Sequence, residues 1–275
     1  MNLELLIRDR ARKIMAPGVR RPIGRLCGWL RSYLVYPLMG VGFDLTGGIF
    51  RADGCSFVIP KRITSLSFRA SFLMHSYEED ERRLVKKYVR PEDSVLELGA
   101  CLGVMGCITN KLLKDPNRHV VVEANPYCLP YIHQNRQRNQ ASFMVEHCAA
   151  SNQREVSFSI NPTHITGSGV GVAGNRMRLP GRTLGELVAR YGPFTVLIMD
   201  IEGSELELLE SSTVTLQHFR FVLLELHENV IGLLGVNRCR QLLQQAGFKM
   251  AERSYITEAW LRLPIAPQSD EVSSL

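Results

Sequence analysis

Four places in the chain combine residue types that do chemistry. Gly99, Gly103 and Gly106 follow an apolar run that carries Glu97 near its end. A second apolar run ends in Glu123, 20 residues after Gly103. A third ends in Asp200 and continues through Glu202, Gly203 and Glu205. A fourth reaches Glu225, His227 and Glu228. A glycine turn between a strand and a helix lets a ligand lie against bare backbone. A carboxylate at the end of the next strand can accept both hydroxyls of a ribose. The G-x-x-x-G-x-x-G spacing misplaces the middle glycine of a dinucleotide turn, and the following helix lacks the Lys or Ser/Thr placement of a phosphate loop. A nucleoside without phosphates fits better, and S-adenosylmethionine is the cofactor that suits the pattern. Glu123 is then expected on the ribose. Glu97 is expected on the methionine amino group, directly or through water.

The elements that must position these residues alternate. Buried strands are predicted over 94–99, 119–125, 142–148, 195–201 and 219–227. Helices are predicted over 104–114, 126–138, 204–211 and 237–247, the last capped by Gly247. Continuous apolar strands alternating with helices predict an α/β fold, Rossmann-like, with a mostly parallel seven-stranded sheet covered on both faces. FKMAERSY and EAWLRL predict a C-terminal antiparallel hairpin at its edge. Residues 152–182 break the rhythm with a strand-like QREVSFSI and a Gly-rich stretch that either folds over the ligand site or is a solvated excursion. The expected organisation is an N-terminal helical extension over 1–43, a β-rich and helical lead-in over 44–93, the main domain over 94–265 and a tail over 266–275. In the lead-in helix over 77–88, Leu84, Val85 and Tyr88 should face inward and EEDERR outward, a solvated face. His75 and Tyr77 are placed to reach over the site as a lid.

LELGACLG (96–103), VEANP (122–126), CAAS (148–151), RTLGEL (182–187), IMDIEGSELELL (198–209) and LLELHEN (223–229) occur in this order. The ordered set resembles the FkbM-type methyltransferases, which are class I S-adenosylmethionine-dependent enzymes, over about residues 75–263, including SYEEDE before the first strand. DIEGSE is its most particular element. The resemblance implies a class I methyltransferase fold and O-methyl transfer to a hydroxyl of a sugar, glycolipid or other natural-product acceptor. The expected cofactor-binding residues are Glu97, Gly99, Cys101, Gly103, Glu123, Asn125, Ala149 and Asp200. The chain departs from the family at Cys101, where Asn is usual, and at Gly185, where Asp is usual. The transfer is an in-line displacement, and an alcohol with a pKa of roughly 16 should lose its proton as the methyl arrives. A positioned base contributes ~10²–10⁴ in rate. Asp200 is the leading candidate and His227 the alternative. Glu202 is expected to shape the pocket and Glu205 to cap or line it, although acids at a helix start also favour the dipole whatever the chemistry. A Mg²⁺-assisted variant through Asp200, Glu202 and Glu225 ranks below the metal-free one.

The 275-residue chain carries a net charge of +6, and its first 32 residues, with eight Lys/Arg against two acids, hold the whole excess. A nucleic-acid binder would carry its basic face through the folded body, so nucleic acid is not an expected partner. Residues 24–43 are the most membrane-like segment, but Arg31 and Pro37 interrupt it, and no spanning helix is predicted. Residues 1–43 are expected either to lie on an anionic membrane surface or to pack as a helical lid on the main domain. Seven cysteines show no CxxC pair and no zinc spacing, which suits a reducing compartment. The expected location is cytoplasmic, extending to the inner membrane surface. Two rivals share parts of the pattern. A nicotinamide-dependent oxidoreductase fails on glycine spacing and lacks a Tyr-x-x-x-Lys pair. A catalytically vestigial membrane-surface protein is opposed by the intact glycines, Glu123 and DIEGSE.

Overall fold

A computed structural model describes residues 31–160, 165, 169–170, 175–212 and 214–263. Its elements in chain order begin with a π-helical turn, Arg31–Val35, and α1, Tyr36–Leu45. The hairpin β1 (Ile49–Ala52) and β2 (Cys55–Val58) follows, then α2 (Leu66–Leu73) and α3 (Glu79–Tyr88). The alternating part comprises β3 (Val95–Leu98), α4 (Val104–Leu112), β4 (His119–Glu123), α5 (Leu129–Arg138) and β5 (Met144–His147). The excursion holds β6 (Ala149–Ala150), β7 (Glu155–Ile160), β8 (Gly169–Val170) and β9 (Asn175–Arg182). The chain then resumes with α6 (Leu184–Tyr191), β10 (Val196–Met199), α7 (Glu205–Glu210), β11 (Phe221–Glu225), α8 (Glu228–Gln245), β12 (Phe248–Ser254) and β13 (Thr257–Arg262).

The main sheet has seven strands in the order β12-β13-β11-β10-β3-β4-β5. β3, β4, β5, β10 and β11 pair in parallel, and β13 runs against β11 and β12. The hairpin is therefore not a simple edge addition: its reversed strand β13 lies inside the sheet, between β11 and β12. Strand order reverses between β3 and β10, which opens a crevice at their carboxyl ends.

Side-chain alternation splits the sheet between two cores. Leu96, Leu98, Leu197, Met199, Val222 and Leu224 pack with Leu184, Leu187, Leu242 and Leu243 of α6 and α8. Val95, Val196, Ile198, Phe221 and Leu223 pack with Leu84 and Val85 of α3 and Met105 of α4. Each such side chain contributes roughly 1.5–3 kcal/mol by leaving water. The lead-in shares a third core with the main domain, in which Phe43, Phe50, Phe57 and Phe72 join Leu102, Ile132 and Phe143. α8 begins at Glu228, well before the predicted 237, and bends at Gly232 (φ 70°). RTLGEL is a helix start: Thr183 and Glu186 form a reciprocal capping box on α6, with Gly185 in its first turn.

Candidate functional site

A cavity of about 300 Å³ lies at the crevice, lined by Gly99, Cys101, Glu123, Asn125, Ala149 and Asp200. Six of the eight expected cofactor residues thus converge. Gly99 has φ +92°, and a Cβ there would collide with the Asp200 carbonyl, so only glycine lets the β3 and β10 ends approach. Glu123 ends β4 with its carboxylate turned into the backbone. Its Oε2 accepts the Cys101 N–H at 2.7 Å and its Oε1 accepts the Asn125 N–H at 2.6 Å. Burial pushes its pKa up to about 7, against the pull of those N–H donors. Each oxygen keeps a lone pair that a ligand hydroxyl can use. Cys101 sits at φ 49°, a conformation Asn tolerates better than most residues, which is a physical reason for Asn in relatives of this pattern.

Two expected cofactor residues lie elsewhere. Glu97 shares a sheet face with Val95, is 1 % exposed and is not part of the cavity lining. Its Oε2 is 3.5 Å from His119 Nε2, and neither carboxylate oxygen has a hydrogen-bond partner. Gly103 caps α4 at φ 73° and packs against Ile132.

The second half of the site is a cluster of acids around one histidine. His227 Nδ1 is 2.8 Å from Glu205 Oε1, whose side chain is fully buried and also accepts the Gly203 N–H at 3.0 Å. His227 Nε2 stands 3.6 Å from both Asp200 Oδ1 and Glu202 Oε2. Burial opposes the imidazolium, but the Glu205 bond and the Asp200 and Glu202 charges outweigh it and raise the His227 pKa to about 9. Burial, then Glu225 and Glu202, push Asp200 up to about 8. Asp200 Oδ1 is buried and has no hydrogen-bond partner. Glu202, at φ 53°, lines the cavity beside Asp200, and Glu225 lines it with Oε1 accepting the Thr257 hydroxyl at 2.8 Å. Glu205 and His227 stand behind these acids, outside the cavity lining. Donor atoms of Asp200, Glu202 and His227 all lie within 4.8 Å of one another, a spacing that could also hold a metal ion.

The lead-in supplies Tyr77, which the sequence places over the site, and Glu78, which sequence reasoning missed. Tyr77 and Glu78 line the cavity, whereas His75 is exposed and does not. Glu78 occupies the N-cap of α3 at φ 49°, its Oε2 buried without a partner, and burial holds its carboxyl well above the usual range. The EEDERR run is not a wholly solvated face, because Glu81 and Arg82 are buried. Arg82 pins the turn by donating to the Tyr77 carbonyl at 3.0 Å, the His75 carbonyl at 2.8 Å and Asp53 Oδ2 at 3.0 Å. Alternation of Glu81 and Arg82 with Leu84 and Val85 was the available signal, since a helix face so divided needs buried partners. The excursion closes another wall with Ala150, Ser151, Val156 and Ile165, and the Ile165 N–H donates to the Ile63 carbonyl at 2.9 Å, bridging excursion and lead-in.

Over 158 residues the chain is 25% identical to the hexuronic acid methyltransferase AglP of Haloferax volcanii, a match covering 56% of this chain and 64% of that protein. An O-methyltransferase from Bacillus cereus, solved in complex with SAH, is similar in structure with a TM-score of 0.45 and 11% identity, over 86% of this chain and 96% of that one. A putative O-methyltransferase from Klebsiella pneumoniae gives a TM-score of 0.46 and 11% identity, over 67% and 81%. The family model of the methyltransferase FkbM domain matches residues 97–250, from within β3 into β12, and the chain belongs to that family.

Proposed function

We propose that the protein uses S-adenosylmethionine to methylate a hydroxyl of a sugar, glycolipid or related natural-product acceptor. The observation that carries this is Glu123, a buried carboxylate that ties together the two turns of the cavity and keeps lone pairs for a ribose diol. Two further features fit the cofactor. Glu78 Oε2 and Asp200 Oδ1 are buried oxygens without hydrogen-bond partners, and both residues line the cavity. A ligand bearing an ammonium and a sulfonium answers both. When bound, the cofactor supplies an electrophilic methyl group on a positively charged sulfur. The sugar class of the acceptor is supported by the 25% identity to a hexuronic acid methyltransferase.

The chain's own residues then divide the work. Glu123 accepts the ribose hydroxyls and Glu78 the ammonium. Asp200, held up at about 8 by burial, ionises beside a bound cation and takes the acceptor hydroxyl's proton. His227, an imidazolium at neutral pH, favours the ionised Asp200, and Glu205 fixes its ring through Nδ1. Glu202 and Glu225 keep the wall anionic. The roof of lead-in and excursion side chains excludes water from the displacement.

Calorimetric titration with S-adenosylmethionine and S-adenosylhomocysteine, with NAD as control and Glu123→Ala alongside, tests the cofactor. Binding of the first two and not NAD, lost in the variant, is the expected result. Labelled-methyl transfer to uronic-acid and neutral-sugar glycans, with alkali-stable product, tests the hydroxyl acceptor. A folded sample that binds neither cofactor form would replace this reading with a vestigial one.

A further inference from the structure

α1 is apolar around its whole circumference. Its sequence, YPLMGVGFDL, has one charged residue, Asp44, which is occupied by Arg69 at 2.9 Å and Lys61 at 3.7 Å. One face packs on α2: Phe43 lies 5.8 Å from Phe72 between ring centroids, and a Cβ on Gly40 would strike the Leu66 backbone. The opposite face is exposed. Leu34, Leu38, Val41 and Leu45 are exposed, Leu38 by 61% and Leu45 by 84%. Their spacing of four, three and four residues draws one stripe along the helix. Leu73 and Met74 at the end of α2 are also exposed. A helix apolar on all sides is normally enclosed, and a row of exposed leucines and valines marks an interaction surface.

The charge pattern says which surface. The stripe begins where the basic segment ends: Arg20, Arg21, Arg25 and Arg31 lie just before it, and residues 1–32 hold the entire +6 excess. An apolar stripe joined to a positive segment is the combination that anionic lipid headgroups attract and an acyl boundary accepts. A second copy of the chain would bring the same positive charge and repel it. No helix among the described residues is long and apolar enough to cross a membrane. We propose that Leu34, Leu38, Val41 and Leu45, with the basic segment before them, dock the protein on an anionic lipid surface. α2 links this face to the site: it packs on α1, and its Phe68 lines the cavity. Docking through α1 therefore anchors a helix pair that carries one of the cavity-lining side chains. The docking itself does not depend on the proposed chemistry.

The test is co-sedimentation of the full chain with vesicles of phosphatidylcholine alone, or with about 30% phosphatidylglycerol, at about 0.05 M and 0.5 M salt. The expected result is pelleting with anionic vesicles only, weakened at least ~tenfold by high salt and by Leu38→Glu/Leu45→Glu. Both positions are exposed, so the variant's thermal midpoint and cofactor titration should match the parent. Failure of the parent to pellet at low salt overturns the proposal. So does equal pelleting of the variant. A dimer that the variant dissociates, without vesicle binding by either, would assign the stripe to a second copy and overturn it equally.

Discussion

Glu123 and Asp200 both follow apolar strands, both face the same cavity, and burial raises both. They are held in opposite ways. Glu123 is bonded through both oxygens to backbone N–H groups of the adjoining turns, so its position is part of the fold. Asp200 has a bare oxygen and leans on a histidine at 3.6 Å, among other acids. A fixed carboxylate suits a receiver whose geometry must not change. A loosely held one, whose charge depends on its neighbours, suits a group that must gain and lose a proton. In the proposed function, the difference separates a binding half of the site, around β3 and β4, from a reactive half around β10 and β11.

The largest expected effect falls on the reactive half. Asp200→Asn should lower methyl transfer by ~10²–10⁴ while cofactor affinity changes far less, measured by labelled-methyl turnover beside calorimetry. Equal losses in both would erase the division of labour. Glu123→Ala should do the reverse, weakening S-adenosylmethionine by roughly 10²-fold through lost charge-assisted bonds, with turnover at saturating cofactor largely retained.

Smaller effects sharpen the contrast. The Glu123 pKa of about 7 lies above the ordinary carboxyl value of 4.5. The folded protein therefore holds a proton that the unfolded chain has released between these values, and the Glu123 contribution to stability falls as pH rises from 4.5 to about 7. A ribose diol donates to the ionised form, so affinity should rise with pH up to about 7, and binding near that pH should release protons. Calorimetry in buffers of different ionisation enthalpy reads both. Glu205→Gln should cost roughly tenfold in turnover and shift the pH profile, by loosening His227 without touching the ligand. The smallest effect is expected from chelation. If the His227 imidazolium supplies the positive charge, EDTA should leave turnover within about twofold. A loss restored by Mn²⁺ or Mg²⁺ would turn the Asp200, Glu202 and His227 cluster into a metal site.

What could be read from the chain alone is what depends on neighbours in sequence. The apolar runs, the glycine turn, Glu123 at the next strand end and Asp200 before the DIEGSE bend follow from pleat and turn rules that act within a few residues. Tertiary structure decided what packs on what. Glu97 reads as a cofactor residue by its place before the turn, yet it is buried outside the cavity lining, beside His119 from the next strand. Glu78 reads as part of a solvated charge run, yet Arg82 binds the turn before α3 and seats Glu78 in the cavity wall. The Ile165 bridge to Ile63, across about a hundred residues, could not be inferred from either segment. Local periodicity specifies elements and their faces, whereas the burial of a charge depends on which distant donors arrive to meet it, because desolvation is set by the whole surroundings.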